Sequence, residues 1–101
     1  MTKFEELKEI KHIDIEKGMM YLTKPFTPLC KLKGKEVWIN DGLDCKAFRI
    51  SNDASKYNLR FCGLKNWYKE RNIQSGTKIN IIFDESEIFE NLHIIHIEYN
   101  I

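Results

Sequence analysis

The hydrophobic pattern is clearest over residues 59–83, where its period changes from helical to extended. Leu64, Trp67 and Tyr68 stand at i, i+3 and i+4, and this stripe predicts a helix of about two and a half turns. Apolar and polar residues then alternate over 78–84, which predicts a half-buried strand. A helix this short is not stable alone in water, so its stripe must pack against a sheet or barrel formed by the other strands.

The first 16 residues are predicted to form an N-terminal helix and then an extended segment. Thr2 and Glu5 match a capping box at the start of that helix. Ile13 and Ile15 alternate with polar residues, which predicts an extended conformation after the helix. The N-terminus is acidic and amphipathic, so it does not resemble a secretory signal.

Short apolar runs bounded by turn residues predict further strands at 19–23, 36–40, 43–50 and 88–99. The dipeptide Asp41-Gly42 lies between two of these runs and predicts a β-hairpin with a type I′ turn. Thr27-Pro28 matches an N-cap followed by proline at the first helical position, which predicts a short helical turn. A charged turn is predicted at 84–87. Six or seven mostly antiparallel strands with short helices at the joints indicate a mainly β, α+β fold, a small mixed barrel.

The length of 101 residues corresponds to a single domain over 1–101, and we expect its core at about 17–99. No apolar run approaches the ~18 residues of a membrane span, so no membrane partner is expected. The three cysteines have no paired spacing, which is typical of free thiols in the reducing cytoplasm.

The net charge of +1 hides an uneven distribution. Between Lys17 and Arg71 there are 12 basic and 5 acidic residues, a balance of +7, whereas the remainder has 4 and 10, a balance of −6. A basic middle between acidic ends can form a face that meets phosphate, although solvated charges can also segregate by chance.

We find no arrangement typical of catalysis. The three cysteines lack the close pairs of a zinc site. His93 and His96 lie three residues apart, which on a strand places them on opposite faces, where they cannot share a metal ion. No glycine loop that would cradle phosphate and no serine–histidine pair is present. The sequence therefore argues against an enzyme, and we expect no catalytic residue, no metal and no cofactor.

Two polar joints remain as candidate binding surfaces. The first contains Lys24 and Lys31, and the second contains Arg49, Asn52, Ser55, Lys56, Asn58 and Arg60. Cations hold phosphate, while amide and guanidinium groups also read base edges in the major groove. The alternative is that these joints are ordinary solvated connectors. The tryptophans and Tyr68 fall at core periods, which favours packing over base stacking.

The segment 63–83, GLKNWYKERNIQSGTKINIIF, resembles the signature of the DNA-binding pseudobarrel superfamily. That superfamily includes plant B-three transcription factors and the recognition or effector domains of several restriction endonucleases. The signature positions are filled here by Gly63, Trp67, Tyr68, Ile73 and Gly76, followed by a strand. Thr77 stands where the superfamily usually has an acidic residue. Upstream, 20–29 resembles its strand, Lys-Pro and short-helix segment, and 35–50 resembles its central hairpin.

The resemblance implies an open pseudobarrel that grips the DNA major groove with two arms. On this chain the first arm matches Lys17, Tyr21, Lys24 and Lys31, and the second matches Asn52, Ser55, Lys56, Asn58 and Arg60. Asn52, Asn58 and Arg60 are the expected base readers. The lysines are expected to neutralise phosphates.

Two functional hypotheses follow from different classes. The first is a double-stranded DNA-binding domain, either a stand-alone regulator or an accessory or recognition domain of a restriction-modification enzyme. The alternative, which the near-zero net charge supports, is a non-catalytic module that binds a protein or peptide on the same small barrel. The sequence leaves the oligomeric state open.

Overall fold

In a computed structural model the strands form one curved sheet, and short helices lie at the joints. The structure describes residues 3–22, 24–55 and 58–99, with the side chains of all of these except 24 and 25. The strands are β1 (Lys3–Glu9), β2 (Met20–Tyr21), β3 (Glu36–Asn40), β4 (Cys45–Ile50), β5 (Arg60–Cys62), β6 (Lys78–Phe89) and β7 (Leu92–Tyr99). The helices are α1 (His12–Lys17), a 3-10 helix (Lys24–Leu32) and α2 (Lys65–Glu70). None of these described helices has the length and apolar character needed to cross a membrane.

The sheet runs in the order β1-β6-β7-β3-β4-β5-β2, so β1 and β2 are its two edges. Neighbouring strands are antiparallel except β3 and β7, which run parallel. Seven mostly antiparallel strands with three short helices confirm the predicted mainly β, α+β pseudobarrel. The parallel pair joins the central hairpin to the C-terminal strand.

The core lies on the inner face of the sheet, and α2 packs against it. The predicted helix stripe is confirmed, because Leu64, Trp67 and Tyr68 are each no more than 2% exposed. The Tyr68 hydroxyl donates a hydrogen bond to the Met19 carbonyl at 2.6 Å, which ties the helix to the start of β2. Burial raises the pKa of Tyr68, so this hydroxyl stays protonated and remains a donor.

The predicted N-terminal helix is wrong, and the order of elements is reversed. Residues 3–9 form strand β1, and the segment predicted to be extended forms helix α1. The reason is a buried ion pair, in which Lys8 Nζ lies 3.2 Å from Asp14 Oδ2. Lys8 therefore points inward from the strand. Because a charged residue occupies an inward position, the alternation of apolar and polar residues that marks a strand is hidden in the sequence. The capping box predicted at Thr2 lies outside the described residues.

The β3–β4 hairpin is confirmed, but its predicted turn type is wrong. The loop has four residues from Asp41 to Asp44, and of the central pair only Gly42 has a positive φ, of 89°. Asp41 Oδ1 accepts hydrogen bonds from the amides of Leu43 and Asp44, which closes the loop with a side chain. Two consecutive positive φ values, as a type I′ turn requires, occur instead at Glu90-Asn91 between β6 and β7.

Three further boundaries differ from the prediction. The segment 88–99, predicted to be one strand, is divided by the turn at Glu90-Asn91, so its first two residues end β6 and the rest form β7. The charged turn expected at 84–87 is part of β6, and the strand passes through it with a shift in register between Phe83 and Ile88. Asp84 accepts hydrogen bonds from the amide and hydroxyl of Ser86, which satisfies polar groups locally at the bulge. The 3-10 helix begins before Thr27-Pro28 and contains Pro28.

Candidate nucleic-acid interface

The pairing of β2 with β5 brings the two predicted arms together at one edge of the sheet. Tyr21 of the first arm lies directly opposite Arg60 of the second. The guanidinium carbon of Arg60 lies 5.8 Å from the centre of the Tyr21 ring, within the range of a cation–π contact. The Leu22 amide continues the ladder by donating to the Leu59 carbonyl at 2.9 Å.

Three side chains of the second joint form a closed hydrogen-bonded ring, the Asp53–Asn58–Arg60 triangle. Arg60 Nη1 donates to Asn58 Oδ1 at 2.7 Å, and Arg60 Nη2 lies 3.0 Å from Asp53 Oδ1. Asn58 Nδ2 donates to Asp53 Oδ2 at 3.2 Å. Each member therefore contacts both others, and the triangle spans the connector between β4 and β5.

The end of the first joint contacts the start of the second through Gly34. Arg49 Nη1 donates to the Gly34 carbonyl at 2.7 Å. Gly34 has a φ of +74°, and a Cβ added there would lie 2.6 Å from Asn52 Oδ1. The left-handed backbone favours a glycine here, and a Cβ would displace the end of the Asn52 side chain.

Ser51 links the Asp53–Asn58–Arg60 triangle to Gly34 through its backbone. Its carbonyl accepts from the Gly34 amide at 3.2 Å, and its amide donates to the Arg60 carbonyl at 3.1 Å. The result is one surface along the β2 edge of the sheet, which we call the connector edge. Its members are Tyr21, Gly34, Arg49, Ser51, Asn52, Asp53, Ser55, Asn58 and Arg60.

Exposure differs along the connector edge. The side chains of Arg49, Asn52 and Ser55 are exposed, whereas Tyr21 is half-buried. Lys17 is exposed at the end of α1, where the following Gly18 carbonyl accepts the Leu64 amide at 2.7 Å. Tyr21 is four positions after Lys17, so about 14 Å is the greatest distance that the chain allows between their Cα atoms.

Lys31 is placed apart from this surface. It lines a shallow depression with Pro28, Leu32, Phe83, Glu85 and His93, on the side of the β6–β7 hairpin. No hydrogen bond or ion pair among the described residues joins it to the connector edge. The side chain of Lys24 and all of Lys56 lie outside the part of the chain that the structure describes, so their roles remain predictions.

A second cluster of charges lies at the β3–β4 loop and is buried. Arg71, just after α2, pairs with Asp41 through Nε and with Asp44 through Nη2, the latter at 2.6 Å. The Tyr99 hydroxyl also donates to Asp41, at 2.7 Å. Burial by itself raises the pKa of Asp41, but the hydrogen bonds from Arg71 and Tyr99 outweigh it and lower the pKa to about 2. Burial and the bond to Asp41 raise the pKa of Tyr99 to about 12.

The two histidines considered as metal ligands lie on opposite faces of β7. The His93 ring packs edge-on against Phe83, whereas His96 Nε2 lies 2.7 Å from Glu87. Within 3–22, 24–55 and 58–99 there is no group of three or more His, Cys, Asp or Glu side chains that could hold a metal ion.

Sequence reasoning missed three members of the connector edge, Gly34, Ser51 and Asp53. Nothing in the sequence connects Gly34 with Asn52. An acidic residue inside a basic joint was the available signal for Asp53, because a lone carboxylate among cations tends to pair with one of them.

No family model and no curated protein matches the sequence. The structure does resemble Arabidopsis FUS3, solved as a complex with DNA, with a TM-score of 0.65 and 19% identity over 93% of this chain and 95% of that one. It also resembles the hypothetical Arabidopsis thaliana protein At1g16640.1, with a TM-score of 0.64 and 14% identity over 95% and 88% of the two chains. These likenesses show the fold, and they agree with the open pseudobarrel that the resemblance implies.

Proposed function

We propose that the chain is a double-stranded DNA-binding domain whose two arms meet the major groove along the connector edge. The observation that carries this proposal is the convergence of the arms. Tyr21 from the first and Arg60 from the second are paired across two strands, and Gly34 and Ser51 join the remaining parts. The likeness to FUS3, which was solved with DNA, supports the same function.

The exposed side chains divide into two roles. Lys17 and Arg49 carry positive charge on the surface and are proposed to neutralise phosphates. Lys31 lies apart from the connector edge and is assigned no contact there. Asn52 and Ser55 are exposed amide and hydroxyl groups, and we propose that they reach base edges. Arg60 and Asn58 are already hydrogen-bonded to each other within the protein, so we propose that they stabilise the conformation of this surface.

Charge reversal at two exposed basic residues tests the proposal. The double variant Lys17→Glu, Arg49→Glu should lose binding to a pool of random-sequence duplexes at low salt, as measured by fluorescence anisotropy. Its matched control is Lys3→Glu, Lys78→Glu, which makes the same charge change at exposed lysines of β1 and β6. Each lost phosphate contact should also lower the slope of log affinity against log salt by about one.

Equal binding by the two double variants would contradict the placement of the interface. A wild-type protein that binds no duplex at any salt concentration would favour the alternative, a module that binds a protein or peptide. The proposed domain would serve either as a stand-alone regulator or as the recognition part of a restriction-modification enzyme, and the genes beside its own would distinguish these two settings.

A further inference from the structure

We propose that Asp53 is a positioning residue that fixes the second arm in its DNA-reading conformation by holding Arg60 and Asn58 at the same time. This inference rests on the proposed function and adds to it a residue whose charge is opposite to that expected at a DNA surface. In this role Asp53 contacts neither a base nor a phosphate. It acts through the two side chains that it holds.

The two oxygens of the Asp53 carboxylate have different partners. Oδ1 lies 3.0 Å from Arg60 Nη2, and Oδ2 accepts a hydrogen bond from Asn58 Nδ2 at 3.2 Å. The side chain of Asp53 is 63% exposed, whereas that of Arg60 is only 15% exposed. A carboxylate in this position repels phosphate, so its presence on the connector edge is explained if it organises the cations and amides around it.

The hydrogen bonds of the triangle leave Arg60 poorly able to read a base. A guanidinium reads guanine with two adjacent donors, but Nη1 of Arg60 donates to the side chain and the carbonyl of Asn58, Nη2 is paired with Asp53, and Nε is buried. Both polar atoms of the Asn58 amide are likewise engaged within the triangle. These two residues, predicted from the sequence to be base readers, are therefore assigned here to holding the arm.

The triangle closes the loop that presents the exposed side chains. Inside it, the Ala54 amide donates to the Ser51 carbonyl at 3.2 Å, and the Asn58 amide donates to the Ser55 carbonyl at 3.0 Å. Asn52 and Ser55 thus project from 51–55, which is held by the bond between Ala54 and Ser51 and is joined to Asn58 by the Ser55 carbonyl. A loop ordered before binding loses less conformational entropy when it meets DNA, and it can favour one sequence over others.

The test compares binding to two kinds of DNA. A duplex is first selected from a random pool by the wild-type protein, and the specificity ratio is the Kd for the unselected pool divided by the Kd for the selected duplex. Asp53→Ala should lower this ratio about tenfold, with weaker binding to the selected duplex and equal or tighter binding to the unselected pool. Asp53→Asn keeps one acceptor for Arg60 and should lower the ratio less.

The matched control is Glu16→Gln, which removes one exposed negative charge next to Lys17 and touches no member of the triangle. It should tighten binding to both DNAs equally and leave the ratio unchanged. A merely structural role for Asp53 would change the unfolding midpoint without changing the ratio of the folded protein.

Three results would overturn the inference. If wild type selects a duplex and Asp53→Ala keeps its specificity ratio, the inference fails while the proposed function stands. If Asp53→Asn and Glu16→Gln have the same effect, the carboxylate acts through charge alone. If wild type selects no duplex, the proposed function fails and the inference fails with it.

Discussion

The protein contains two clusters in which an arginine is held by aspartate, and they differ in burial. In the first, the side chains of Arg71 and Asp41 are 3% and 0% exposed. In the second, those of Arg60 and Asp53 are 15% and 63% exposed. The first cluster ties the β3–β4 loop to the end of α2 and to Tyr99, and the second ties the connector to itself.

Burial decides what each cluster contributes. Removing one partner from a buried pair leaves a desolvated charge, which is strongly destabilising, whereas an exposed pair is solvated and contributes little to stability. The buried cluster is therefore expected to hold the fold together, and the exposed cluster to set the conformation of a binding surface. The variants at Arg71, Asp41 and Asp53 below each break one cluster and should leave the property governed by the other unchanged.

The largest effect is expected for Arg71→Ala. This change leaves Asp41 buried without its cation and removes the guanidinium that stacks 4.6 Å from the centre of the Trp67 ring. The free energy of unfolding in urea should fall by about 3 kcal/mol. The control Lys69→Ala removes an exposed cation from α2 and should change it by less than about 0.5 kcal/mol. Similar losses for the two variants would contradict the account of the buried cluster.

Acid should weaken the buried cluster in a defined pH range. The pKa of Asp41 is lowered in the folded state from 3.8 to about 2, so the folded protein binds this proton less readily than the unfolded chain. The resulting stability, about 2 kcal/mol, is present above the unfolded pKa and is lost as the pH falls through the folded one. Urea unfolding across this range should show a shallower loss for Asp41→Asn than for wild type, and equal losses would exclude Asp41 as the cause.

A smaller effect on stability is expected for two glycine variants, which distinguish backbone strain from an effect on DNA binding. Gly34→Ala and Gly42→Ala both place a side chain at positive φ, of 74° and 89°, and each should cost about 1 kcal/mol. Only the first brings a Cβ against Asn52, since nothing lies within 4 Å at Gly42. Gly34→Ala alone should therefore weaken DNA binding severalfold in an anisotropy titration. Equal binding by both variants would show that Gly34 does not couple the joints.

The smallest effect on stability is expected for Asp53→Asn. Because Asp53 is mostly exposed, the urea midpoint should shift by an amount equivalent to less than about 1 kcal/mol. A loss as large as that of Arg71→Ala would erase the distinction between the two clusters.

The fold was largely predictable, and the largest error of the prediction lies at the N-terminus. The helix stripe at Leu64, Trp67 and Tyr68 and the alternation in β6 and β7 follow directly from hydrophobic period. The N-terminal strand was predicted as a helix because Lys8 and Asp14 are buried as an ion pair. They occupy positions that a pattern of apolar residues assigns to solvent. Period alone cannot show that a charged side chain points inward with a partner.

The candidate interface was predictable in composition and not in geometry. The polar joints and the resemblance indicated which segments to combine, and the structure pairs Tyr21 with Arg60 across β2 and β5. The separation of Lys31 and the triangle around Asp53 depend on contacts between distant positions in the sequence. Such contacts follow from strand pairing and from the path of the connector, which local patterns do not determine.

The most direct test of the central claim is an amide chemical-shift map of the isotopically labelled protein, titrated with short duplexes at low salt. The account predicts that the shifts concentrate on the connector edge, at Tyr21, Asn52, Ser55 and Asn58, and extend to Lys17. Shifts confined to the opposite edge of the sheet at β1, or to the loop around Asp41, would contradict it.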